Sequence, residues 1–143
     1  METNNKIQLK FLSLSENESF ARAVIGCFAL KLNPSVADIS DIKTAVSEAV
    51  TNCIVHGYPN KIGEITICAE ILSNELHINV FDNGVGISNI PQALEPFYTS
   101  KPEEERSGMG FTIMKSFMDK VVVESAPNLG TKIYMLKKIG AGA

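Results

Sequence analysis

Disulfide frameworks and zinc sites are the first classes to fall away. The chain has only three cysteines, Cys27, Cys53 and Cys68, and no C-x-x-C pair. An odd number of isolated cysteines reads as small apolar packing residues of a reduced, cytoplasmic protein. Two histidines make no metal cluster. The longest apolar run, Ala23 to Leu30, is far short of the ~18 residues needed to span a bilayer. Met1-Glu2-Thr3-Asn4-Asn5-Lys6 has neither the basic nor the apolar region of a signal peptide, so none is expected. An excess of positive charge is lacking too. Lys+Arg 13 against Asp+Glu 16 leaves a net charge of −3, which argues against nucleic acid as the main partner, since such binders carry a basic face. A small molecule or another protein remains. The familiar phosphate and hydrolase signatures are also missing: no G-x-x-x-x-G-K-[ST], no G-x-G-x-x-G after a strand, no H-R-D or D-F-G, and no G-x-S-x-G.

What is present is an ordinary globular composition, with 45% hydrophobic and 20% charged residues. A length of 143 residues predicts one domain over 1–143, large enough to bury its core without staples. Alternation of Ile7, Leu9 and Phe11 with Lys6, Gln8 and Lys10 predicts a half-buried strand over 6–13. Ser15-x-x-Glu18 has capping-box spacing and predicts a helix with Phe20, Val24, Cys27, Phe28 and Leu32 inward, stopped at Asn33-Pro34. Ser35-x-x-Asp38 predicts a second capped helix running to about His56, with Ile39, Ile42, Val46, Ala49, Val50, Cys53 and Ile54 buried. Gly57 and Pro59 end it.

The hydrophobic period then changes from that of a helix to that of a strand. Residues 64–71 and 75–82 alternate around Ser73-Asn74 and predict a hairpin. A short helix is expected over 88–95, a loop over 96–108, and a helix over 108–119 with Phe111, Met114 and Met118 inward. Residues 120–126 and 131–138 predict a second hairpin turning at 127–130. The order β-α-α-β-β-loop-α-β-β implies an α+β two-layer sandwich: a mixed, mainly antiparallel sheet with helices on one face.

Three local anomalies carry chemistry. Glu48, Asn52 and His56 repeat at i, i+4, i+8 inside an apolar helix. A solvated polar face explains them as well as a cleft does, in which a carboxylate acts as base and an amide oxygen holds Mg²⁺. Asp82 ends the apolar face of Leu76, Ile78 and Val80 and is followed by Asn83-Gly84-Val85-Gly86. A carboxylate aimed at the core needs a partner, and a ligand amino group would serve. The glycines permit positive φ and close approach to a flat ring, although for the motif taken alone a simple Asn-Gly turn is the better explanation. Gly108-Met109-Gly110 opens a helix after Lys101, Arg106 and Ser107. Free amides at a helix start favour phosphate, and a hinge is the plain alternative.

Taken in order, Glu48-x-x-x-Asn52, Asp82-x-Gly84-x-Gly86, Gly108-x-Gly110-Phe111 and Gly130-Thr131 resemble the N, G1, G2 and G3 boxes of the GHKL ATPase/kinase superfamily, whose members share the Bergerat ATP-binding fold. The resemblance covers essentially the whole chain. It leaves no room for the dimerisation and phospho-acceptor helices of a sensor histidine kinase. The stand-alone domain, with residues 17–22, 47–52 and 105–114, is similar to the anti-sigma factor serine kinases of spore-forming bacteria. This resemblance implies that Asp82 accepts from the adenine amine with help from Thr131, and that Gly84 and Gly86 allow approach of the base. It implies that Asn52 binds Mg²⁺, that Lys101, Arg106, Ser107, Gly108 and Gly110 hold the phosphates, and that Glu48 activates a serine hydroxyl on an anti-anti-sigma factor. It further implies a sigma factor as sequestered partner and a homodimer; the helix face carrying Ser19 and Arg22 is a candidate docking surface, with a plain exposed arginine as the alternative. A sigma-binding module gated by ATP, without catalysis, is the alternative.

Overall fold

The computed structural model describes residues 3–87, 90–94 and 110–140. Ile7, Leu9 and Phe11 face inward from strand β1 (Thr3–Leu12), and the alternating apolar faces of β2 (Glu64–Leu72) and β3 (Glu75–Asp82) continue that layer. Strands β4 (Lys120–Ser125) and β5 (Thr131–Lys138) complete a five-stranded sheet in the order β1-β2-β3-β5-β4. Among the described residues all four pairings are antiparallel, where the sequence suggested a mixed, mainly antiparallel sheet. The last strand in sequence lies between β3 and β4. Its register places Thr131 opposite both Asp82 and Ser125.

Helices α1 (Glu16–Ala29), α2 (Val36–Asn52) and α4 (Gly110–Phe117) bury their apolar stripes in the same core as the inward faces of the sheet; α3 is one turn, Ile90–Ala93. The predicted loop over 96–108 lies outside the described residues. Helix α2 opens on the expected capping box: Ser35 Oγ accepts from Asp38 N–H at 3.0 Å, and Asp38 Oδ2 accepts from Ser35 N–H at 3.3 Å. The box predicted at Ser15 does not form. Ser15 has helical φ −52° and ψ −37°, and its side chain caps nothing. Glu18 N–H instead donates to the Ser15 carbonyl, and Asn17 N–H to that of Leu14, so a backbone turn has taken the donors.

The inward stripe of α1 keeps the predicted Phe28, with Leu32 against the core, and otherwise differs from the predicted one. Ala21, Ile25, Gly26, Phe28 and Ala29 are buried, whereas Phe20 is 56% exposed and Cys27 lies outside. Small residues let α1 close on α2: a Cβ on Gly26 would lie 3.0 Å from the stem of Lys43. The two helices therefore meet over small side chains, and the bulkier Phe20 is left at the surface.

Lys137 stands on the inward face of β5, opposite Leu76. Its ammonium donates to the Phe117 carbonyl at the end of α4 (2.7 Å) and to Asp41 of α2 (3.3 Å). One largely buried cation thus joins the sheet to two helices, and it sits at the negative end of α4. Lys137→Met keeps the stem and deletes the charge. It should cost about 1–2 kcal/mol in urea unfolding, because the carbonyl and carboxylate lose their donor.

Candidate functional site

The site is built where α2 ends against the tip of β3. Asp82 is 3% exposed. Its Oδ1 accepts the Gly84 N–H at 2.8 Å, while its buried Oδ2 has no hydrogen-bond partner. Burial pushes the pKa of this carboxyl up; the Gly84 amide, the Cys53 thiol and the Thr131 amide offset part of that, and none of them satisfies Oδ2. An acceptor left open in an apolar surround is costly until a donor arrives. Cys53, fully buried, is driven well above the ordinary thiol range by desolvation and then by the Asp82 charge, so it stays a protonated donor.

Thr131 is brought beside Asp82 by register. Its Oγ1 lies 2.8 Å from Ser125 Oγ; Ser125 donates to the Gly130 carbonyl (2.7 Å) and accepts from the Ile87 amide (2.7 Å). Ser125 belongs to none of the sequence motifs, though the hairpin register that pairs it with Thr131 is the signal that finds it. An open depression of about 440 Å³ lies at this end of the sheet, lined among others by Asp82, Asn83, Ser125, Gly130 and Thr131.

The loop glycines serve the protein before any ligand. Gly86 adopts φ 77°, as expected for a glycine. Gly84 is required by closeness: a Cβ there would lie 1.9 Å from the Gly57 carbonyl oxygen. The close approach foreseen for a flat ring is at Gly84 an approach of two backbone segments.

Glu48 and Asn52 stand one turn apart on the last stretch of α2, both half-buried. They do not line the depression beside Asp82. The α-helical spacing stops at Asn52, because Cys53–Gly57 forms a π-turn, so His56 is not on the same helical repeat as the other two. Gly110 begins α4, which packs on α2. Lys101, Arg106, Ser107 and Gly108 lie outside the described residues. Among the described residues no group of three or more His, Cys, Asp or Glu could hold a metal. Two oxygen-bearing side chains on one helix fit the usual mode of Mg²⁺ instead, in which phosphate and water supply the remaining ligands. Ser19 is exposed and its hydroxyl turns back to the Glu16 carbonyl (3.4 Å). The Arg22 guanidinium reaches Ser47 Oγ on α2 (3.5 Å) and Glu18 (3.9 Å).

A family model described as "Histidine kinase-like ATPase domain" matches residues 12–137. The chain belongs to this family. It is 58% identical over 140 residues to a protein of Caldanaerobacter subterraneus subsp. tengcongensis named "Anti-sigma F factor", covering 98% of each chain. It is 60% identical over 134 residues to the like-named protein of Clostridium acetobutylicum, covering 94% of each. In fold it is similar to the crystal structure of the RsbU and RsbW domains of a Mycobacterium tuberculosis protein, at TM-score 0.68 and 15% identity, over 95% of this chain and 32% of that one. Among the described residues no helix is long and apolar enough to cross a membrane.

Proposed function

We propose that this histidine kinase-like ATPase domain is a cytoplasmic anti-sigma factor and an ATP-dependent protein-serine kinase. It sequesters a sporulation sigma factor, of the sigma F type that the names of its relatives imply, and phosphorylates a serine of the anti-anti-sigma factor that competes for it. The observation that carries the nucleotide half is the orphan Oδ2 of Asp82. It is a fixed, buried acceptor with no donor of its own, in a family of ATPases, and the adenine amine supplies that donor. The sigma half is supported by whole-length relatives named as anti-sigma factors.

The chemistry needs few parts. Asp82 and Thr131 orient the base. Asn52 would hold Mg²⁺, which when bound neutralises phosphate charge. Lys101, Arg106, Ser107, Gly108 and Gly110 would bind the phosphates. Glu48 takes the proton of the acceptor serine as its oxygen bonds to the γ-phosphorus and the bond to ADP breaks. Phosphoryl transfer is mainly positioning and charge neutralisation, so this set suffices. Ser19 and Arg22 form the docking face. Through Ser47 the arginine reaches the residue before Glu48, so partner docking and the reacting helix share one joint. The functional unit is a homodimer, and the open edge of β1 is the surface through which it forms.

The test is direct. The purified chain with sigma factor, labelled ATP, Mg²⁺ and anti-anti-sigma factor should place label on a serine of the last component. The unphosphorylated partner should release sigma, and the phosphorylated one should not. ATP consumption without labelled protein would mean a plain ATPase; sigma binding without any turnover would mean a gated binding module.

A further inference from the structure

Helix α2 does not simply stop before β2. Its last residues widen into the π-turn Cys53–Gly57, closed by the Tyr58 N–H donating to the Cys53 carbonyl at 3.0 Å. Such turns add a residue to the helical repeat and redirect the chain beyond them. Here the Gly57 carbonyl is aimed at the loop after β3, where it accepts the Val85 N–H at 2.9 Å. The contact is tight enough that a Cβ on Gly57 would lie 2.6 Å from Asp82 Oδ2.

The next residue, Tyr58, is 6% exposed. Its ring packs on Gly63, where a Cβ would lie 2.2 Å from a ring carbon. Its hydroxyl donates to the Glu64 carbonyl at 2.7 Å and accepts the Asn83 N–H at 2.8 Å. Asn83 lies between Asp82 and Gly84, and the Gly84 N–H holds Asp82 Oδ1. One phenol therefore pins the first peptide of the turn that orients the carboxylate, and ties it to the start of β2. It does so from the protein side, with a hydroxyl already committed to two backbone groups.

We propose that Tyr58 is a positioning residue for base recognition: its hydroxyl locks the Asp82–Gly84 turn to the end of α2, so that Asp82 presents its free oxygen in one orientation. This rests on the reading of Asp82 as the adenine acceptor. The π-turn makes the lock possible, because it carries Tyr58 past the Asp82 strand end and leaves Asn52 on the helix behind it.

Tyr58→Phe in the full chain keeps the ring and removes only the hydroxyl. Calorimetry with ATP and with GTP, whose base carries a carbonyl where adenine has its amine, reads the outcome. ATP binding should weaken about tenfold with stoichiometry unchanged, GTP binding should stay as weak as before, and KM for ATP should rise with kcat kept. A merely structural role would lower the melting temperature or the stoichiometry while leaving the ATP dissociation constant and the ATP/GTP ratio alone, and that result would overturn the proposal. Should Tyr58→Phe not fold, replacing the Asn83 amide by an ester deletes the same hydrogen bond with Tyr58 in place and should show the same tenfold loss; an unchanged constant there overturns the proposal equally. Failure of the wild-type chain to bind ATP would overturn the adenine reading and this proposal with it, whereas tight wild-type binding that both variants leave intact would overturn this proposal alone.

Discussion

Asp82→Asn should weaken ATP binding about a hundredfold and at the same time make the empty protein more stable. The two effects have one cause. The carboxylate is nearly fully buried and Oδ2 is unpaired, so it costs the fold stability until a donor reaches it. The amide keeps an oxygen for the Gly84 N–H but lacks the charge that strengthens a hydrogen bond to the base amine, a loss of about 1.5–3 kcal/mol. It also removes a buried charge, which should raise the stability of the empty chain by about 1–2 kcal/mol and its melting temperature by a few degrees.

The pH dependence gives the sign. Burial raises the Asp82 pKa above its ordinary 3.8, so the folded state binds this proton more tightly than the unfolded state does. The stabilising contribution is complete below the ordinary value and is lost as pH rises through the raised one. Melting curves of wild type and Asp82→Asn should therefore lie closest at acid pH and separate towards neutrality, with the variant above. At one ATP concentration high enough to saturate the wild type, the melting temperature of the wild type should rise far more than that of the variant. A variant that is less stable than wild type at neutral pH, or that binds ATP normally, would remove Asp82 from the role given to it.

Glu48→Gln should do the opposite: leave ATP binding within about twofold and cut phosphoryl transfer to the partner serine by about a thousandfold. A serine hydroxyl is a poor nucleophile, and a positioned base contributes about 10²–10⁴ in rate. Glu48 stands on α2 one turn before Asn52, away from the depression beside Asp82. On the proposed roles, base recognition and proton removal would fall to different elements, β3 and α2. The amide has nearly the same shape, so its effect falls on the proton and not on packing. Single-turnover transfer with saturating ATP measures it. Transfer at the wild-type rate would show that no carboxylate is needed there, and loss of ATP affinity would place Glu48 in binding.

Much of this geometry is legible in the sequence, for reasons that differ by element. The hairpins β2–β3 and β4–β5 follow from a two-residue apolar period, and the same alternation exposes Asp82 as a carboxylate on an inward face. Thr131 comes from the family resemblance alone, because the β3–β5 register that sets it opposite Asp82 joins strands about fifty residues apart and no local pattern encodes it. The hydrophobic pattern of α1 places Phe28 correctly but misses the buried Ala21, Gly26 and Ala29, small residues that a hydrophobic stripe does not mark, while the hydrophobic Phe20 faces out. The capping-box spacing at Ser15 is present, but a backbone turn takes the amides. The π-turn leaves no mark, since Cys53 and Ile54 continue the apolar run of α2, and without it Tyr58 reads as a residue after a helix end. Its role depends on a partner 25 residues away, which no local pattern encodes.

The strand order has a consequence in time. Because β5 is made last of the five strands yet lies between β3 and β4, the wall carrying Thr131 beside Asp82 does not exist while the chain is still being synthesised up to β4. Closing it requires a pairing across about fifty residues, the slow kind of contact in folding. Until β5 is made, the β3 edge has no partner and Asp82 has no Thr131 beside it, so the wall of the proposed site depends on the last strand of the sheet.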